Sequence, residues 1–261
     1  MKLLAVETST DACSAALFID GQVQEKFEIA PREHTKLILP MIDSLMAEAQ
    51  LKPQQLDAIA LSRGPGSFTG VRIATGVVHG IAFGADLPVV LVSTLAAIAQ
   101  DFFNRHIVGA AQGCASVAGS RMLGATAAQG CAAVAEGRMP EATVSFTAMD
   151  ARMDEIFWGV YRRNDLGLAE LVGDEAVTPA AEAIFPEVSG FGVGSGWDAH
   201  GEILSAHLGG RVLGVESQVW PHAACVAQLG AYDFANGLAV PVELAMPVYL
   251  RDKVAKKQSE R

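Results

Sequence analysis

Near residue 62 the chain changes its hydrophobic rhythm, and that change limits the architectures open to it. An apolar run from Leu56 to Leu61 reads as a strand and halts at Gly64-Pro65-Gly66; a helical pattern begins near Phe68. Strand, glycine-rich turn and helix N-terminus thus follow in immediate succession. Such a turn can aim several backbone N–H groups at one point, where the helix dipole favours negative charge. Glycine permits close backbone approach, and Pro65 stiffens the turn. Two readings follow. Arg63, Gly64, Gly66, Ser67, Thr69 and Gly70 hold an anion or a nucleotide phosphate, or the segment is an ordinary strand–helix connection. No Lys-Ser/Thr pair follows, as a P-loop would require, which on chemistry alone leans toward the second.

The flanking sequence extends the pattern. Leu3–Val6 is a short apolar run before the polar turn Glu7-Thr8-Ser9-Thr10-Asp11. Ala12–Ile19 and Gln22–Ile29 read as strands joined at Asp20-Gly21, a hairpin signal. A helix is predicted from about His34 to Gln50, with Pro40 near its first turns or bending it, and a strand from Asp57 to Leu61. A second helix is predicted from about Thr69 to Gly84, then a strand over Pro88–Val92. The later chain reads as strands over Thr143–Met149, Glu155–Tyr161 and Val188–Val193, with a helix over Ala223–Ala235. Between them, residues 110–122 nearly repeat at 127–139, differing only at Ser116/Ala133, Gly119/Glu136 and Ser120/Gly137. One pair of copies cannot build a solenoid, so this reads as a local tandem duplication.

The 261 residues, 51% of them hydrophobic, suffice for one large or two small domains with a sizeable core. The formal net charge of −10 argues against this chain as the main binder of a phosphate backbone. Arg121 with Arg138, or Lys253 with Lys256 and Lys257, are the candidate local basic patches, and the charged last nine residues read as a solvated tail. Cys13, Cys114, Cys131 and Cys225 form no C-x-x-C pair and have no histidine at metal spacing, so free thiols are expected. No signal peptide and no spanning segment is read, so a cytoplasmic location is expected.

Four stretches together carry a family resemblance: Leu3-Leu4-Ala5-Val6-Glu7-Thr8-Ser9-Thr10, Ser62–Ile73, Asp150–Trp158 and Pro247-Val248-Tyr249-Leu250-Arg251. In this order they resemble the bacterial TsaB family, the accessory subunit in tRNA threonylcarbamoyladenosine synthesis. The resemblance implies a reduced, two-lobed α/β fold of the actin-like ATPase and sugar-kinase superfamily, which is ribonuclease H-like. The element order agrees. Residues 1–100 would form the first lobe, with a late helix at about 219–238 packing back on it. Residues 101–218 and 239–261 would form a smaller lobe that holds the duplicated Ala/Gly-rich insertion at about 105–140. The duplication is longer than the family usually carries.

The implied function is a non-catalytic scaffold and activator. Its partner, a TsaD-type catalytic subunit, transfers threonylcarbamoyl from threonylcarbamoyl-adenylate to N6 of the adenosine beside the tRNA anticodon. A small TsaE-type ATPase joins the complex, and tRNA is met only through it. Without the partner, a homodimer is implied. The two helices after the hairpin would make the contact, through Leu37, Met41, Leu45, Ile73, Val77 and Ile81. Helical spacing also suits these residues to an ordinary core, whereas Gly76, Gly80 and Gly84, every four residues, let another helix approach. No cofactor is expected on this chain alone, with ATP or ADP at a surface shared with the catalytic partner.

Rival activities find little in the residues. A phosphotransferase or ATPase of this fold needs an Asp and a Gly in the first turn; Asp11 is the nearest substitute and reads as a turn former. A metal-dependent or protease-like hydrolase needs a metal pair or a nucleophile with its base. Among His34, His79, His106, His200, His207 and His222 there is no H-x-x-x-H, and Ser67 has no G-x-S-x-G elbow. Asp154 and Glu155 are read as solvated beside a hairpin, Asp150 with Arg152 as a local ion pair, and Gly192–Trp197 as a glycine turn capped by a tryptophan.

Overall fold

A computed structural model describes residues 1–106 and 143–251. The duplication, Arg121, Arg138 and the lysines after 252 lie outside the described residues.

The first lobe is one sheet. β1 (Lys2–Glu7), β2 (Ala12–Ile19) and β3 (Gln22–Ile29) form an antiparallel meander; β4 (Ala58–Ser62) and β5 (Val89–Val92) join parallel to β1. The order is β3-β2-β1-β4-β5. Strand alternation divides the side chains between two faces. Leu4, Val6, Leu17, Ile59, Leu61 and Val89 face α1 (His34–Glu48) and α2 (Phe68–Ala85). Leu3, Ala5, Ala16, Ala58, Ala60 and Val90 face α5 (Ala223–Ala235). The second face is small because α5 lies close: a Cβ on Gly230 would sit 2.7 Å from the Ala60 Cβ. The N-terminus of α5 is held by Ser14 Oγ and Glu25, which accept from the Ala223 and Ala224 N–H groups. Asp86, in the left-handed conformation, ends α2. Pro40 sits inside α1 on its exposed side.

The second lobe is another sheet. β6 (Val144–Asp150), β7 (Glu155–Arg163), β8 (Ala169–Leu171), β9 (Ala176–Pro179), β10 (Gly190–Val193) and β11 (Val212–Glu216) run in the order β11-β10-β6-β7-β8, with β9 also on β7. One face packs on α4 (Ser195–Leu208) around Phe146, Ile156, Trp158 and Trp197. The other meets α3 (Thr94–Arg105) around Leu95, Ile98, Phe102, Phe103 and Phe191. α3 also touches α5, so these two helices fill the layer between the sheets.

The described chain after α5 first follows the first lobe: Val240 bridges to Val89, Ala245 enters the α1–α2 core, and the Val248 N–H donates to the Arg63 carbonyl. At Arg251 it reaches the second sheet, where the Arg251 guanidinium donates to the Ala151 carbonyl and pairs with Glu155. Glu155 is therefore half-buried and paired rather than solvated. Asp150 and Arg152 stand 3.8 Å apart with Arg152 exposed, an ion pair of little weight.

Candidate functional site

The glycine loop owes its composition to the turn beneath it. A Cβ on Gly70 would lie 2.0 Å from the Thr8 carbonyl oxygen, and one on Gly66 would lie 2.4 Å from that of Ser9. The contact is stitched by hydrogen bonds. The Ser67 N–H donates to the Ser9 carbonyl (2.7 Å), Thr8 Oγ1 donates to the Gly70 carbonyl (2.7 Å), and the Thr94 N–H donates to the Gly64 carbonyl (3.0 Å). Ser67 also caps α2. Close packing of two turns thus accounts for Gly66 and Gly70, and it spends the Ser67 N–H that an anion would use. Gly64 needs its freedom for a different reason, a φ of +98°.

Under this junction lies a buried polar cluster. Ser62 and Thr94 share a hydrogen bond of 2.9 Å, and Thr94 Oγ1 donates to Ser9 Oγ. Glu7 is wholly buried; its Oε1 accepts from the Ser9 N–H, while Oε2 has no hydrogen-bond partner among the described residues. Burial raises the Glu7 carboxyl above the ordinary carboxylate range, against the lowering effect of Ser62 and Ser9. A raised folded-state pKa means that the folded chain holds a proton the unfolded chain has lost. Stability then falls as pH rises from the ordinary glutamate range through the folded value. Glu7→Gln is expected to raise the urea midpoint at pH 8 and to flatten its decline between pH 5 and pH 8. A wild-type midpoint unchanged over that interval would contradict this.

The loop borders a cleft of about 640 Å³ between the lobes. Its walls come from the first turn (Ser9–Asp11), the loop (Pro65–Phe68), the β6–β7 turn (Asp150–Arg152), Ser195 at the start of α4, Val219–Pro221 and Val248–Arg251. At its mouth the Arg72 guanidinium lies 3.8 Å over the Phe68 ring, and Arg72 Nε donates to Tyr249 Oη at 3.1 Å. The loop residues proposed for an anion are not all brought together: Gly66 and Ser67 line the cleft, whereas Arg63 lines a separate cavity beyond β5. Gly192–Trp197 is a strand–helix junction. It ends β10 and opens α4, and Gly192 leaves room for the Trp197 ring, which a Cβ would approach to 2.4 Å. Trp197 Nε1 donates to the Phe146 carbonyl from within the core.

The helix residues also divide. Leu45 is 1% exposed and Met41 9%; both point into the sheet core, because the α1 stripe that includes Ile38 and Ile42 is the face β2 needs covered. Met41 and Leu45 therefore face the sheet rather than the outer surface of α1. Leu37, Ile73, Val77 and Ile81 pack against the rim of that core and keep part of their surface in solvent. Gly76, Gly80 and Gly84 are exposed, and a Cβ on any of them would meet nothing within 4 Å. Phe83 is 77% exposed and Leu39 49%. α2 is long and apolar enough, by length and composition, to cross a membrane, but Ala74, Val78 and Ala82 are packed in the sheet core. Among the described residues, no three His, Cys, Asp or Glu side chains are grouped as a metal site would need.

Residues 27–108 match the family model of TsaD, tRNA N6-adenosine threonylcarbamoyltransferase. The tRNA threonylcarbamoyladenosine biosynthesis protein TsaB of Escherichia coli is 36% identical over 99% of this chain and 98% of its own length. That of Haemophilus influenzae is 34% identical over 99% and 97%. The solved structure of YeaZ from Pseudomonas aeruginosa superposes with a TM-score of 0.77 at 36% identity, covering 95% of this chain and 99% of that one. These likenesses span both lobes and agree with the actin-like architecture. The chain belongs to the TsaB family of tRNA threonylcarbamoyladenosine biosynthesis proteins.

Proposed function

We propose that this chain is a non-catalytic subunit that docks a TsaD-type catalytic subunit through the outer face of α1 and α2 and shifts it toward its active arrangement. The observation that carries the reading is the outer face of α2. An amphipathic surface helix turns polar residues to water. Here Ile73, Val77, Ile81 and Phe83 surround three open glycines. A glycine in a helix interior costs about 1 kcal/mol relative to alanine, and among the described residues no contact offsets that cost. A second helix lying close across Gly76, Gly80 and Gly84 would. Leu37, Ile73, Val77 and Ile81 then belong to the contact; Met41 and Leu45 support it from the core.

Activation follows by population shift: docking that is tighter to the partner's active arrangement raises the share of molecules in it. A nucleotide, ATP or ADP, would sit at the joint surface, where the cleft and the loop at Gly66 and Ser67 come near the α2 N-terminus. The small TsaE-type ATPase joins that assembly. The acidic balance of the chain fits a subunit that meets tRNA only through the complex. Without the catalytic subunit, the same face pairs with a second copy, and the protein works in the cytoplasm rather than in a membrane.

Sedimentation tests the docking directly. Alone, the chain is expected to run as a homodimer; with an equimolar TsaD-type subunit, the homodimer is expected to give way to a one-to-one pair. A homodimer that persists beside the free catalytic subunit would overturn the reading.

A further inference from the structure

A second cavity, of about 380 Å³, opens between β5, α5 and the β7–β8 edge and shares no lining residue with the cleft. Its charges are unpaired. The Arg63 guanidinium forms no hydrogen bond or ion pair with another described residue, and its Nε is sealed from solvent without an acceptor. Glu175 Oε1 accepts from Ser93 Oγ and Tyr161 Oη, which fixes the carboxylate and leaves Oε2 with no donor among the described residues. Asp233, half-buried on α5, has no side-chain partner there either. Burial pushes the Asp233 carboxyl up and the Arg63 charge draws it down, so the two groups feel each other across the space. Burying an unpaired charge is unfavourable, and a cavity that keeps both signs apart has a place for a molecule that carries both.

The balance of charge narrows the class. A simple anion would meet Arg63 but also face Glu170, Glu175 and Asp233. A simple cation would meet the carboxylates and face Arg63. Leu91, Leu168 and Leu229 supply apolar wall between these poles. A volume near the lower end of the range for ligand pockets limits the occupant to a small metabolite. We propose that this cavity binds a small aliphatic α-amino acid as its zwitterion, with the carboxylate on Arg63 and the ammonium on Glu175 and Asp233.

The test is an amide-resolved NMR titration of the full chain with L-leucine. 3-Methylbutylamine, which lacks the carboxylate, and 4-methylpentanoate, which lacks the ammonium, are run in parallel. Shifts are expected at Ser93, Tyr161 and Asp233 with a Kd on the order of 1 mM. Each control is expected to bind at least ~10-fold more weakly, a loss of one charged contact. Arg63→Met and Asp233→Asn are each expected to remove the response; if the first fails to fold, the second still decides. No shifts by ~20 mM leucine, shifts confined to the inter-lobe cleft, an amine or acid that matches leucine, or an undiminished response in Asp233→Asn would overturn the proposal.

Discussion

Gly70→Ala is expected to lower the melting temperature by about 6–12 °C, although it adds a single methyl group. The added carbon would stand 2.0 Å from the Thr8 carbonyl oxygen, which is backbone and cannot turn aside as a side chain can. Relief requires parting α2 from the first turn. That breaks the Thr8 Oγ1 bond to the Gly70 carbonyl and disturbs the Ser67–Ser9 bond that continues the same seam. Overpacking of this kind costs about 3 kcal/mol, and a domain of this size loses roughly 2–4 °C per kcal/mol. Gly66→Ala is expected to act in the same direction through Ser9. Differential scanning calorimetry decides the matter, and a melting point within ~2 °C of the parent would show that the turns are not so tightly joined.

The double variant Gly76→Leu/Gly80→Leu is expected to keep its fold and lose its partner. A Cβ at either position meets no described atom within 4 Å, and both positions are exposed, so the new side chains project toward solvent. Replacing glycine within a helix should leave stability equal or raise it by up to about 1 kcal/mol at each position. Bulk in the middle of a close helix–helix contact does the opposite to binding, and a loss of more than ~100-fold in affinity for the catalytic subunit is expected, as for a central hot spot. Leu45→Asp marks the contrast. It places a carboxylate in the sheet core and is expected to abolish folding rather than to probe a surface. If the double variant binds the catalytic subunit as the parent does, α2 is not the docking helix.

The first lobe was legible because each of its elements carries its own local signal. Asp20-Gly21 marks a hairpin, the α1 stripe repeats at helical spacing, and Gly64-Pro65-Gly66 separates β4 from α2. The second lobe was less so. β8 and β9 are short and partly exposed with no alternation, and β11 alternates only between half-buried and exposed positions. α3 does carry a local signal, a cap in Ser93, which accepts from the Leu95 and Ala96 N–H groups, and an apolar spacing of Leu95, Ile98 and Phe102. α4 was hidden by a glycine run that reads as a turn. At the candidate site, a stripe at helical spacing says that a helix has an apolar side but not which side the sheet takes. Hence Leu45 and Ile73 looked equivalent until β2 was in place. Arg63 lies just past β4, with its N–H still bonded to the Val92 carbonyl of β5, and its side chain lines the cavity beyond β5 rather than the cleft that the loop borders.

The most direct measurement is threonylcarbamoyl transfer to tRNA by a TsaD-type subunit with its TsaE-type ATPase, given threonylcarbamoyl-adenylate, with and without this chain. Transfer that requires the chain, and that falls to the level without it for Gly76→Leu/Gly80→Leu, is the predicted result. Equal transfer in its presence and absence would contradict the account.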